Sequence, residues 1–130
     1  MSRHVDSTEQ LVVELFVRDL RRSLAFYRVL GFDLLRGEEE FAVLAWEDHR
    51  LFLDQQEDLP EAPATPVMNV RVMVPDVDRV WHRVNELGLR VVAPIADRPY
   101  GLRDFTIADP DGFGVRFGTR LRGNPDKGTA

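Results

Sequence analysis

The sequence has no cysteine in its 130 residues. That removes disulfide staples, thiolate nucleophiles and cysteine-ligated zinc. Histidine is almost as scarce. His4 falls in a polar tail, His49 in a turn and His82 on a helical stretch, a scatter that makes no metal-ligand cluster. Positive charge is also short: 17 Lys and Arg stand against 22 Asp and Glu, for a net charge of −5. A protein that grips phosphate backbones non-specifically carries the opposite sign, so nucleic acid is not an expected partner. No apolar run approaches the roughly 18 residues of a membrane helix, and no charged-then-apolar leader opens the chain. The expectation is therefore a protein without membrane contact, located in the cytoplasm.

What is present describes an ordinary globular chain: 44% hydrophobic and 30% charged residues. A chain of this length buries roughly two thirds of its unfolded surface, enough for a real core. Three stretches lack that character. Residues 1–9 and 122–130 are polar and aperiodic and read as flexible tails. Residues 57–66 (EDLPEAPATP) hold three prolines and read as a linker.

The linker divides two similar segments. Residues 12–32 read VVELFVRDLRRSLAFYRVLGF and residues 69–89 read NVRVMVPDVDRVWHRVNELGL, so Val17 and Asp19 fall on Val74 and Asp76, and Leu30-Gly31 on Leu87-Gly88, without a gap. Each begins with period-two alternation, the mark of a strand with two environments. Asp19 and Asp76 stand where a helix N-cap belongs. Leu20, Leu24 and Tyr27, and their counterparts Val77, Trp81 and Val84, recur at helical spacing. Gly31 and Gly88 sit where a helix ends in a left-handed residue. Three further strands follow each helix, over residues 32–36, 41–46 and 50–54, then 89–93, 103–108 and 114–120. Asp109-Pro110-Asp111-Gly112 is a strong turn signal between the last two, which reads its aspartates as turn formers. The predicted fold is α+β, with two βαβββ modules over residues 10–56 and 67–121, curved mixed sheets forming a concave cleft, and helices on the outer face.

The segments VRDLRRSLAFYRVLGF and PYGLRDFTIADPDGFGVRF, in that order over residues 11–120, resemble the vicinal oxygen chelate superfamily of glyoxalases, bleomycin resistance proteins and extradiol dioxygenases. That resemblance implies a divalent metal held by His, Glu or Gln on the first and last strand of each module. The matching positions here are Val12, Phe52, Asn69 and Arg116. Valine and phenylalanine cannot ligate a metal, a lone asparagine is a poor site, and arginine stays protonated and repels a cation. The resemblance therefore points to the bleomycin-resistance-like branch, which is also similar in FAVLAWEDHRLFL: metal-free proteins without a cofactor that sequester a drug between the modules of a homodimer. Two departures, Phe113-Gly114 after the DPDG and Leu11 in place of a common proline, leave open whether strands exchange between subunits.

Strand parity places Val13, Leu15 and Val17, and Val70, Val72 and Val74, under the helices. The opposite faces would line the cleft, with Ala42, Leu44, Trp46, Asp104 and Thr106 joining them by the same parity. The candidate ligand-binding residues are Glu14, Phe16, Trp46, Phe52, Asn69, Arg71, Tyr100 and Arg116, a few polar groups in an apolar, aromatic pocket. A structural alternative stands beside this: Glu14 paired with Arg71 or Arg116 simply to neutralise buried charge. Trp46 is equally readable as a hairpin-end core residue, and Trp81 as core. Three functions are compatible. The first is sequestration of an antibiotic-like aromatic small molecule by a homodimer. The second is a metal-independent isomerase or lyase, with Glu14 as base and Arg71 or Arg116 stabilising a developing oxyanion. The third is an interaction module whose cleft is filled by its own side chains.

Overall fold

The computed structural model describes residues 5–122, and its contacts divide the chain between Glu61 and Ala62 into two units. The first carries α1 (Ser7–Gln10), β1 (Val13–Val17), α2 (Leu20–Leu30), β2 (Asp33–Gly37), β3 (Phe41–Trp46) and β4 (His49–Gln55). The second carries β5 (Asn69–Met73), α3 (Val77–Glu86), β6 (Val91–Asp97), β7 (Leu102–Ala108) and β8 (Gly114–Arg120). The strand orders are β1-β4-β3-β2 and β5-β8-β7-β6, so the second sheet repeats the first. In each, the first strand lies parallel to the last and the other pairs are antiparallel. Both sheets are open and mixed, and the βαβββ reading is realised twice.

The two helices begin alike. Asp19 accepts from the Arg22 amide and Asp76 from the Arg79 amide, each satisfying a donor that helix geometry leaves free. The next free donor is taken from the sheet: Leu20 N–H donates to Gln55 Oε1 and Val77 N–H to Thr119 Oγ1, both at 2.9 Å. Each helix is thus pinned to the last strand of its own module. Gly31 ends α2 at φ 119°, and Gly88 follows α3 at φ 67°. A Cβ at Gly31 would also lie 3.1 Å from the Trp46 ring, so this glycine serves a close approach as well as a left-handed turn.

Under α2 the core is a chain of aromatic edges: Phe26 to Tyr27, Tyr27 to Phe32 and Phe32 to Trp46, with centroids 5.0, 5.3 and 5.1 Å apart. Leu15, Val17, Ala42, Leu44, Leu51 and Leu53 complete it from the sheet. Under α3 the matching contact is Trp81 on Phe105, and Phe105 on Phe117, backed by Val72, Ile107 and Val115.

The soft segments are more built than their composition predicts. Residues 1–4 and 123–130, with most of the expected tails and His4, lie outside the described residues. Residues 7–9, read as part of the N-terminal tail, belong to one helical turn over Ser7–Gln10 with Asp6 as its cap. The proline-rich segment has contacts within each unit: Arg18 donates to the Pro60 carbonyl in the first, and in the second Arg90 donates to the Ala64 carbonyl and Pro63 lies against Gly112.

Candidate functional site

On the second sheet, the face opposite α3 is set by register. Arg71 pairs with Arg116, Arg116 with Thr106, and Asp104 with Gly118, so Arg71, Arg116, Thr106 and Asp104 share one face. Asp104 is 1% exposed, and a carboxylate so enclosed needs donors to replace its water. It has three. Arg98 Nε donates to Oδ1 at 2.8 Å, Arg116 Nε donates to Oδ2 at 3.1 Å, and the Tyr100 hydroxyl donates to Oδ2 at 2.6 Å. Arg116 Nη2 also donates to the Tyr100 oxygen, and its guanidinium carbon stands 5.1 Å from the Tyr100 ring centre.

Local chain geometry explains why these groups meet. Arg98 to Gly101 is a tight turn, closed by the Gly101 amide on the Arg98 carbonyl, with Gly101 at φ 90°. It folds Arg98 and Tyr100 back over β7. A register shift between Ala93 and Ala96 inserts one extra residue into β6. Within that bulge the Pro94 carbonyl accepts from Arg98 Nη2 at 2.6 Å. On β8, Arg116 is flanked on this face by Gly114 and Gly118. A Cβ at Gly114 would fall onto the Asn69 side chain, and one at Gly118 would stand 3.3 Å from the Asp104 Cβ. Burial, and then repulsion from Arg71 and Arg98, hold the Arg116 guanidinium below its ordinary pKa. It remains a cation at neutral pH.

On the first sheet, the face opposite α2 has a different character. Glu14 pairs with Phe52 and Phe52 with Val43, while Phe16 pairs with Asp54 and Asp54 with Phe41. The result is a partly open aromatic surface, with Phe16 48% exposed and the Phe41 and Phe52 rings 5.3 Å apart. Glu14 is exposed at its edge.

The structure separates some candidates and groups others. Asn69, Arg71, Tyr100 and Arg116 belong to the second sheet and its β6–β7 turn; Glu14, Phe16 and Phe52 belong to the first. Within the second unit, Arg116 is paired with Asp104. Of the two readings of Trp46, its packing follows the hairpin-end core one. Because Val43, and not Ala42 or Leu44, pairs with Phe52, the cleft parity assigned to β3 is one residue out of step. Ala42, Leu44 and Trp46 therefore point to the helix side, and Trp46 packs on Phe32 and the end of α2. Arg98 was not among the expected residues. Its signal is the predicted inward position of Asp104, since a buried carboxylate requires a cation close in sequence or space. The Asp109 carboxylate accepts from the Asp111 and Phe113 amides, as a turn former does.

Residues 8–117 match the Glyoxalase/Bleomycin resistance protein/Dioxygenase superfamily. The chain belongs to that superfamily. It is 27% identical to the bleomycin resistance protein of Geobacillus stearothermophilus, over 87% of this chain and 98% of that protein. Among solved structures it is similar to TioX from Micromonospora sp. ML1, with 29% identity, a TM-score of 0.69, and coverage of 85% and 98% of the two chains. It also shares the fold of the bleomycin resistance determinant encoded on transposon Tn5, with a TM-score of 0.71 at 21% identity over 87% and 98% of the chains.

The superfamily resemblance implies a divalent metal at Val12, Phe52, Asn69 and Arg116, and the residues present do not fit one. The Phe52 ring packs on Phe41. The Asn69 side chain lies against Gly114. Arg116 brings a guanidinium with two more beside it. Among the described residues, no three His, Cys, Asp or Glu side chains gather where a metal ion could be held.

Proposed function

We propose that this protein is a metal-independent, cofactor-free binding protein that sequesters an aromatic, antibiotic-like small molecule, acting as a homodimer in the cytoplasm. The observation that carries this reading is Arg116. At a position where the superfamily uses a metal ligand, this chain places a guanidinium locked to Asp104 and Tyr100. That arrangement can orient a ligand but supplies no Lewis acid. The second sheet offers directional donors in Asn69, Arg71, Tyr100 and Arg116, and the first sheet offers an exposed aromatic surface in Phe16 and Phe52, the two kinds of surface that small-molecule recognition uses. Similarity to bleomycin resistance proteins at 27% identity supports the same kind of activity, stoichiometric capture with no bond broken.

A thermal-shift panel tests it, with bleomycin-type and other aromatic antibiotics in one arm and Ni²⁺, Mn²⁺ and Zn²⁺ in the other. A ligand at a hundred times its Kd adds about 2.7 kcal/mol of stability, which a melting curve resolves. The expected result is stabilisation by at least one antibiotic class and none by the metals. Stabilisation by a metal that EDTA reverses would overturn the metal-independent reading.

A further inference from the structure

We propose that the guanidinium cluster of the second sheet is a subsite for a carboxylate, so that the sequestered molecule is an acid carried on an apolar body. This rests on the reading of that face as a small-molecule site and adds the chemical class of the ligand.

Charge is the first support. Arg98 and Arg116 share the single carboxylate of Asp104, and Arg71 is close enough to weaken the proton affinity of Arg116. A group of like charges held together is relieved by an anion arriving among them. The second support is unspent donors. A guanidinium has five N–H groups in a planar fork. Arg116 spends Nε and Nη2 on Asp104 and Tyr100, and Arg98 spends Nε and Nη2 on Asp104 and Pro94. Neither uses Nη1 in any of these bonds. No buried side-chain nitrogen or oxygen among the described residues lacks a partner, so the two Nη1 groups are not sealed in the interior. They are placed to meet something from outside. The third support is rigidity. Asp104 and Tyr100 hold Arg116 from two sides before any ligand comes, which lowers the ordering cost of binding.

The surroundings agree. Gly114 and Gly118 place no side chain of their own beside Arg116, and the space over Gly114 is taken by the Asn69 side chain, a further polar group. Met73 stands 42% exposed on the same face, where its sulfur would lie 3.6 Å from a Cβ at Gly118. Together with the Tyr100 ring it offers an apolar contact for the body that bears the acid. Guanidinium forks match the two coplanar oxygens of a carboxylate better than a point charge does, which favours a carboxylate over an ammonium-bearing or neutral ligand.

The test is an ¹H–¹⁵N NMR titration of the full chain with 2-naphthoate, 2-naphthamide and 2-naphthylmethylamine, three probes that differ only in the charged or neutral group. The acid should bind about tenfold tighter than the amide or more, the effect of a charge-assisted hydrogen bond, with shifts centred on β5 and β8. In Arg116→Gln the acid-to-amide ratio should fall to about one, with affinity for the amide kept. Arg71→Gln, at the residue that pairs with Arg116 across β5 and β8, should lower the same ratio and serves if Arg116→Gln does not fold. Equal binding of acid and amide, tightest binding of the amine, or a preference that survives both variants overturns the carboxylate subsite alone. Displacement of 2-naphthoate by equimolar inorganic phosphate overturns it in favour of a general oxyanion site. No binding by any of the three probes overturns both the subsite and the reading of this face as a small-molecule site.

Discussion

Enclosing a carboxylate costs several kcal/mol unless donors replace its lost water, and Asp104 meets that demand with two guanidiniums and a phenol. Removing it would leave Arg98 and Arg116 facing each other with Arg71 nearby. Breaking a fully buried ion pair costs about 3–5 kcal/mol, but these guanidiniums are 26% and 28% exposed, and water softens the loss. Asp104→Ala is expected to lower stability by about 2–3 kcal/mol. Tyr100→Phe, which removes one donor and keeps the ring, should cost about 1 kcal/mol. Urea midpoints of the two variants check the ordering, and a smaller loss for Asp104→Ala than for Tyr100→Phe would contradict the central role given to the carboxylate. Tyr100 was named from the sequence as a candidate ligand contact. Its bond to Asp104 was not, because two residues four apart meet only after a turn reverses the chain.

At the scale of elements, both helices use the same two devices, an aspartate cap and a polar side chain from the last strand of the module. The caps were legible because they need only local spacing. The strand contributions of Gln55 and Thr119 were not, because they join positions 35 and 42 residues apart. The same limit applies to Trp46, whose face depends on which residue of β3 stands opposite Phe52. The short α1 turn offers a pH test. The Thr8 amide and hydroxyl hold the Asp6 carboxyl below its ordinary value near 3.8. A lowered folded pKa means that the contribution is complete above the unfolded value and is lost as pH falls through the folded one. The Thr8 amide resonance should therefore hold its capped position at mild acidity and move only below the ordinary aspartate range. Movement centred at or above that range would contradict the cap.

At the scale of the molecule, one βαβββ plan is used twice, with two unlike open faces: aromatic with exposed Glu14 on the first sheet, guanidinium-rich on the second. Each sheet ends in unpaired edge strands, and Leu11, Leu35 and Val67 are exposed apolar side chains. Such surface is consistent with association between copies of the chain. Light scattering at micromolar concentration is expected to give a molar mass twice that of the 14.9 kDa chain. A monomer across the whole dilution range would contradict the homodimer.

Composition, alternation and caps sufficed to establish the α+β class, the internal repeat, the superfamily resemblance and the absence of thiol chemistry, since each depends on residue identity or on spacing within a few positions. They also sufficed to mark Arg116 as a cation where a metal ligand is expected. Tertiary structure alone decided what surrounds that cation. The β7–β8 register brings Arg116 beside Thr106 and next to Asp104, the Arg98–Gly101 turn brings Arg98 and Tyr100 over the same carboxylate, and the β3–β4 register turns Trp46 away. Register and turn closure are set by the summed burial of whole strands, a quantity that no local stretch of sequence contains.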